Sequence, residues 1–231
     1  MQPTWLLILS WVALAAGLTS AAVIVVDESV LGYRQPVRIL EVVWPVTALY
    51  FGPQTIAAYR RWGRPQSFRW RERHGDPPKK LENPALLHLC HCGAHCTLGA
   101  IIATAIISTI GIDVSGGIAW PEYVADYVLA LAMGVLFRYV AASRSGRSRV
   151  WAAIRIVVKA DLLTVSAFEL ALLVWLALAH DLVFPTVLRA NNPVFWFILQ
   201  IGLIIGFFAA WPASSWLIRR GVEVEPRPTP Q

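Results

Sequence analysis

Apolar residues are arranged in six long runs that are separated by shorter polar or basic connections. A helix that crosses a bilayer needs about 20 mostly apolar residues, and each run reaches that length. Because a segment inside a bilayer has to pair its backbone polar groups internally, we interpret the runs as helices. The pattern predicts an all-α polytopic membrane helix bundle with about six transmembrane helices. The predicted spans are residues 4–26, 36–59, 85–110, 121–142, 159–179 and 193–218.

Composition narrows the class of protein further. Apolar residues make up 57% of the 231 residues and charged residues 15%. This balance excludes a disordered chain and argues against an ordinary soluble domain. Residues 1–10 contain no Lys or Arg, so we expect the first helix to be retained rather than cleaved as a signal peptide. We predict one transmembrane domain, residues 1–221, and a disordered Pro-rich tail, residues 222–231.

The positive charges predict the orientation of the spans. Sixteen of the 20 Lys and Arg residues lie in the 60–80 connection, in the 144–159 connection or after the last span. Cytoplasmic loops of membrane proteins carry an excess of Lys and Arg. With six spans these three segments fall on one face, which predicts that both termini are cytoplasmic.

The basic segments also bear on binding partners. The net charge is +6, and the 60–80 connection mixes Arg with Trp and Phe. Nucleic acid would suit such a segment, but an anionic lipid surface explains it more simply. We therefore predict the lipid bilayer as a partner and no nucleic acid. Residues 149–159 place basic and apolar side chains on different faces, which predicts an interfacial helix before the fifth span.

The third predicted span carries nearly all of the side chains that bind soft metals. All three Cys residues and three of the five His residues lie within residues 88–96. At about 100° per residue, five of these side chains share a helical arc of roughly 140°. They are His88, His91, Cys92, His95 and Cys96. Cys90 faces the other way, and Gly99 continues the arc as a small residue that lets another helix approach.

Imidazole and thiolate together are typical ligands of Zn(II), Cu(I) and similar ions. We therefore predict a transition-metal site, copper- or zinc-like, in the cytoplasmic half of the membrane. Two alternatives remain open. Cys and His can pack as weakly polar core residues, and His can hold a haem axially. The metal reading is favoured because polar groups are costly inside a membrane and are usually functional there.

Carboxylates of the fifth span are the best candidates to complete the metal site. Asp161 lies near its inner end, and Glu169 lies about 12 Å further along by helix rise. The cluster covers a similar range of depths, so both carboxylates are predicted metal ligands. Alternatively, Asp161 lies at the interface and pairs with Arg155 or Lys159. Elsewhere, Arg138 lies inside the fourth span without an assigned role, and we expect Gln200 to donate an interhelical hydrogen bond.

These motifs resemble those of the Domain of Unknown Function 4396 family of bacterial and archaeal multi-pass membrane proteins. The resemblance covers most of the chain and rests on residues 91–99, residues 159–169, and the aromatic and Gly pattern of residues 195–218. It implies a location in a bacterial cytoplasmic (inner) membrane. The chain departs from the family pattern at His95, where Gly is usual, and at Ala100, where Asp is usual. It also lacks the Met residues that are frequent in the last two spans of the family.

Three functions are compatible with these observations. The first is a metal-binding membrane protein that acts in metal transport or homeostasis. The second is a haem- or redox-linked membrane subunit, and the third is a ligand-free membrane assembly or scaffold protein. An enzyme is disfavoured because the chain has no hydrolase, zincin or nucleotide-binding motif. A homo-oligomer or a membrane partner protein remains open.

Overall fold

The computed structural model describes residues 2–79, 83–110, 120–141, 147–180, 188 and 190–221. In this part of the chain the regular structure is helical throughout. Two π-helical segments, Tyr59–Gly63 and Val157–Asp161, and one 3-10 turn, Arg64–Gln66, lie between α-helices. The α-helices are α1 (Thr4–Ser29), α2 (Leu40–Phe51), α3 (Pro53–Ala58), α4 (Phe68–His74), α5 (Pro84–Ile110), α6 (Trp120–Ala141), α7 (Arg147–Ile156), α8 (Leu162–Leu178) and α9 (Pro193–Arg219).

The predicted all-α membrane bundle is confirmed, and the count of about six spans is approximate. Among the described residues, α1, α5, α6 and α9 are long and apolar enough to cross a membrane. The α7 and α8 helices form a pair that is bent by 63° and adds a fifth candidate span if it is counted as one.

The surface of α1 shows how the bundle sorts its side chains. Ser10, Gly17 and Ser20 face the other helices, whereas Trp5 and Trp11 are more than half exposed. Small and weakly polar residues thus make up half of the buried positions of α1, and most of its large apolar residues lie outside. This arrangement is the reverse of a soluble protein and is typical of helices that pack within lipid.

The second predicted span, residues 36–59, is broken in the structure. The α2 helix ends at Phe51 because Gly52 adopts φ +61°, and Pro53 cannot donate a backbone hydrogen bond. The carbonyl oxygen of Leu49 accepts instead from the side-chain amide of Gln200 at 2.6 Å. This contact confirms the interhelical hydrogen bond expected for Gln200. At about 18 Å, a helix of 12 residues is too short to cross the ~30 Å core of a bilayer.

Beyond Gly52 the chain turns back along α2. The ring of Trp44 lies 5.7 Å from that of Tyr59, and it packs directly against Gly63. The backbone N–H of Phe68 then donates to the carbonyl oxygen of Arg34 at 3.1 Å. Residues 40–66 therefore form a hairpin that enters and leaves at the same end of the bundle. We call it the re-entrant hairpin.

The re-entrant hairpin changes the placement of the termini. Tyr59 and Arg64, at its returning end, contact Asp27 at the end of α1, at 2.9 and 3.2 Å. At the opposite end of the bundle, the side chain of Asn192, which precedes α9, donates to that of Gln2 at 3.1 Å. The α1 and α9 helices thus run in the same direction. The start of α1 and the end of α9 therefore lie at opposite ends of the bundle, whereas an even number of spans would place them at the same end. The cytoplasmic location of both termini stays a prediction.

The α5 helix lies at the centre and packs against α2, α6, α8 and α9. A Cβ atom at Gly99 would lie 2.6 Å from the backbone nitrogen of Ala130 in α6. This close approach confirms the role predicted for Gly99. The predicted interfacial segment corresponds to α7, whose Trp151 is 63% exposed, and its location at a membrane surface stays a prediction.

The predicted tail and two connections fall partly or wholly outside the described residues. The tail, residues 222–231, lies entirely outside them, as do residues 111–119 and most of the 181–189 connection. The single-domain boundary at residue 221 stays a prediction.

The main apolar core is formed by residues of α1, α2, α5, α6, α8 and α9.

Candidate metal centre

The predicted cluster lies in the first half of α5, in the interior of the bundle. The helix starts with Pro84, and the Asn83 side chain accepts a hydrogen bond from the backbone N–H of Leu86 at 3.1 Å. Pro at the first position and Asn at the cap are typical of a helix start. All five side chains of the predicted arc are buried, with exposures between 0 and 3%. The arc therefore faces protein and not lipid.

Three of the predicted ligands come together. The Nε2 atom of His88 lies 3.4 Å from the Sγ atom of Cys92 and 3.3 Å from Oδ1 of Asp161. One ligand atom from each residue lies within 4.8 Å of both others. Two ligands on an ion with bonds of about 2.0–2.3 Å are about 3.3–4.0 Å apart at tetrahedral or trigonal angles. The two distances measured from His88 fit one shared ion, and the ligand atoms of Cys92 and Asp161 lie within 4.8 Å of each other. We call these residues the triad.

Asp161 reaches the triad because of a local change in helix geometry. It ends the π-helical segment Val157–Asp161, at the bend between α7 and α8. A π-helical turn inserts an extra residue and is frequent at functional sites. The bend directs the carboxylate into the bundle, where it is fully buried.

Asp161 is also held by a cation that the sequence did not pair with it. The guanidinium of Arg138 in α6 donates to Oδ2 through Nε at 3.0 Å and to Oδ1 through Nη2 at 2.7 Å. This two-pronged contact replaces the pairing with Arg155 or Lys159 that we considered. Each carboxylate oxygen has a second acceptor position, so Asp161 can hold Arg138 and contribute to the triad.

Ser214 of α9 fixes the ring of His88. Its Oγ atom lies 2.8 Å from Nδ1 of the imidazole. When Nδ1–H donates to this hydroxyl, Nε2 has a lone pair directed at the triad. Metal-binding His residues usually have such a hydrogen-bonded partner on the second ring nitrogen. Three helices and the π-helical segment therefore position the triad and the residues that hold it.

His91 and His95 face α6 rather than the triad. Their ring centroids are 5.8 Å apart, and both rings pack edge-on against Phe137. The Nε2 atom of each is buried and makes no hydrogen bond with the residues that the structure describes. These two predicted ligands thus lie beside the triad with a free nitrogen each.

Cys96 and Glu169 form a separate pair, one helical turn beyond Cys92. The thiol of Cys96 lies beside the carboxyl group of Glu169. Glu169 is 1% exposed, and neither of its oxygens has a hydrogen bond of good geometry within the described parts of the chain. The structure therefore divides the two predicted carboxylates between the triad and this pair.

Other residues near the cluster were missed by sequence reasoning. Arg138 was noticed as a charge inside a span, but its partner depends on how α6 packs. Ser214 gave no signal, since Ser is common in membrane helices. Tyr50 comes from the re-entrant hairpin, and its hydroxyl lies 2.5 Å from where a Cβ atom of Gly93 would be. A side chain at position 93 would require Tyr50 to shift, so the hairpin packs closely against the cluster helix.

The haem alternative needs a second His opposite the cluster. His180 follows α8, about 28 Å from Asp161 by helix rise. In the described part of the chain, the His residues of the cluster all come from α5 and are packed against side chains. This geometry favours the metal interpretation over a haem held between two helices.

The comparison with protein families agrees with this architecture. The model of a domain of unknown function, DUF4396, matches residues 83–223, which is more than half of the chain. The chain belongs to the DUF4396 family. The DUF4396 match begins one residue before α5 and contains the triad, Arg138, Ser214 and the Cys96–Glu169 pair. No curated protein and no solved structure matches the chain.

Proposed function

We propose that this DUF4396 protein binds a copper- or zinc-like transition-metal ion inside its helix bundle and acts in metal transport or homeostasis. The observation that carries the proposal is the triad of His88, Cys92 and Asp161. It combines a nitrogen, a sulfur and an oxygen ligand within 4.8 Å of one another, and the two distances from His88 fit one ion. Imidazole and thiolate favour such ions, and a buried polar cluster among apolar helices is usually functional.

A location in the bacterial cytoplasmic membrane is part of the same proposal. Apolar helices of sufficient length support a membrane location. A binding site that is closed off by α5, α6, α9 and the bend before α8 would hold an ion at membrane depth. An ion held there serves transport or sensing better than it serves bulk storage.

The test is elemental analysis of the full chain purified in detergent after growth with copper and zinc. We expect about one ion per wild-type chain and its loss in Cys92→Ser. Cys90→Ser is the matched control, since Cys90 is an equally buried thiol on α5 that lies beside Thr47 and outside the triad. Equal metal in wild type and Cys92→Ser, or none in wild type, would overturn the proposal.

The metal content of cells tests the proposed role in metal transport or homeostasis. We expect cells that produce the wild-type protein to differ in total copper or zinc from cells that produce Cys92→Ser at the same level. Cys90→Ser should behave as the wild type. Identical metal content and metal tolerance in all three strains would contradict a role in transport or homeostasis.

A further inference from the structure

The charges around the triad restrict which ion can bind. Asp161 is fully buried, and Arg138 is 4% exposed. The guanidinium contacts both carboxylate oxygens, so this pair carries no net charge before any ion arrives. Of the remaining triad members, His88 is a neutral ligand in its metal-binding form, and Cys92 is the one that loses a proton.

A charge that is left over in a buried site is costly, because the interior cannot solvate it as water does. When a monovalent cation replaces the thiol proton of Cys92, the thiolate neutralises the cation and one proton leaves. The net charge of the site is then the same before and after binding. A divalent cation that binds in the same way leaves one uncompensated positive charge.

Glu169, a further buried acidic group beside the cluster, does not change this balance. Glu169 lies beside Cys96, one turn beyond Cys92, and has no cationic partner among the described residues. A buried carboxyl group without such a partner is most stable uncharged.

We propose that the ion bound by the triad is a soft monovalent cation of the Cu(I) class, and that Arg138 sets this preference by neutralising Asp161. The inference rests on the proposed metal function and restricts the bound ion to a single positive charge. Thiolate and imidazole are suitable ligands for Cu(I). The chain's role would then concern reduced copper rather than zinc.

The experiment compares soft ions that differ in charge. Calorimetric titrations of the purified full chain use Ag(I) and Cd(II), in chloride-free buffer, with anaerobic Cu(I) and Zn(II) in parallel. We expect one Ag(I) or Cu(I) per chain, release of one proton, and at least about a hundredfold weaker binding of Cd(II) and Zn(II). Cys92→Ser should lose the monovalent ion, and Cys90→Ser should keep it.

Arg138→Met tests the cause of the preference. Without the guanidinium, the carboxylate of Asp161 can neutralise a second positive charge, so Cd(II) and Zn(II) should gain affinity relative to Ag(I). Arg138→Lys keeps the charge and should keep the preference. Tight one-to-one binding of Cd(II) or Zn(II) to the wild type would overturn the inference and leave the metal function standing. If no ion binds, both fail.

Discussion

Asp161 and Glu169 are buried carboxyl groups eight residues apart with opposite surroundings. Asp161 accepts two hydrogen bonds from Arg138 and lies beside His88. Among the described residues, the polar group beside Glu169 is the weakly polar thiol of Cys96. The same type of side chain is therefore held in a charged pair at one position and left without a cation at the other. The two positions should respond differently to loss of the carboxylate.

We predict that Asp161→Asn lowers the free energy of unfolding by about 3–5 kcal/mol, because Arg138 is left buried without its counter-ion. Glu169→Gln should leave the stability unchanged or raise it, because it removes an acid group that has no partner. Unfolding of the detergent-purified protein by titration with sodium dodecyl sulfate, followed by circular dichroism, measures both.

The double variant Arg138→Met with Asp161→Leu is the control for this prediction. Apolar residues of similar volume should recover most of the stability lost in Asp161→Asn, since no unpaired charge remains. If Asp161→Asn is as stable as the wild type, or if the double variant is no better than the single one, the ion pair does not hold this region together.

At the residue scale, the sequence predicted which residues form the cluster, but not which of them form the triad and which pack elsewhere. Helical periodicity places His88, Cys92 and Asp161 at compatible depths, and the structure joins them. The same periodicity cannot show that His91 and His95 pack on Phe137, since that depends on the rotation of α6 about its axis. The partner of Asp161 is likewise determined by packing between helices that are distant in sequence.

At the element scale, the re-entrant hairpin depends on backbone contacts around its turn. Gly17 of α1 lies against the carbonyl group of Leu49, where a Cβ atom would clash. The side chain of Gln200 donates to the same carbonyl oxygen. This oxygen has no helical partner because Pro53 lacks an N–H. Three elements, α1, α2 and α9, therefore meet at one backbone group.

We predict that Gly17→Ala lowers the free energy of unfolding by about 1–3 kcal/mol, since the added methyl group forces α1 away from α2. Ala15→Leu is the matched control, because Ala15 is exposed on the same helix and should change stability by less than about 0.5 kcal/mol. Thermal unfolding in detergent measures both. Equal stability of Gly17→Ala and wild type would show that the contact is not tight.

Replacement of Gln200 tests the same junction from α9. Gln200→Leu should lower the free energy of unfolding by about 1–3 kcal/mol, because it leaves the Leu49 carbonyl oxygen buried without a donor. Gln200→Glu, which also lacks the amide donor, should not restore stability at neutral pH. Thermal unfolding measures the loss, and stability equal to that of the wild type in Gln200→Leu would contradict the assignment.

The hairpin was missed because apolar content does not distinguish a crossing from a turn within the bilayer. Residues 36–59 contain enough apolar residues for a span. The local signal was the pair Gly52–Pro53, which ends α2 after 12 residues. Whether a chain continues beyond such a pair or turns back depends on what its exposed carbonyl groups can bind. Here Gln200, distant in sequence, supplies the donor.

At the scale of the whole molecule, the re-entrant hairpin changes which basic residues lie at the same end of the bundle. The ends of α1 and of the re-entrant hairpin meet through Asp27, Tyr59 and Arg64. This places Arg34 and Arg38 on the same face as the three basic segments. Of the Lys and Arg residues in the connections of the sequence, Arg189 alone then belongs to the opposite face. A topology with the start of α1 outside and the end of α9 in the cytoplasm would satisfy the positive-inside rule better than six spans.

Single cysteines test this topology. We predict that Pro3→Cys and Asn191→Cys react with an impermeant maleimide on intact cells, whereas Glu72→Cys reacts only after permeabilisation. All three positions are exposed, and the native Cys residues are buried, so the background should be low. If Pro3→Cys behaves like Glu72→Cys, the N-terminus is cytoplasmic and the six-span topology holds.

The Arg138–Asp161 contact also has a consequence for biogenesis. Helix α6 is synthesised first, and on its own it would expose a guanidinium to acyl chains. The segment that supplies the carboxylate leaves the ribosome only after 22 further residues. We therefore expect the partition of α6 into lipid to depend on the arrival of its partner, so that the two segments leave the translocon together rather than in turn.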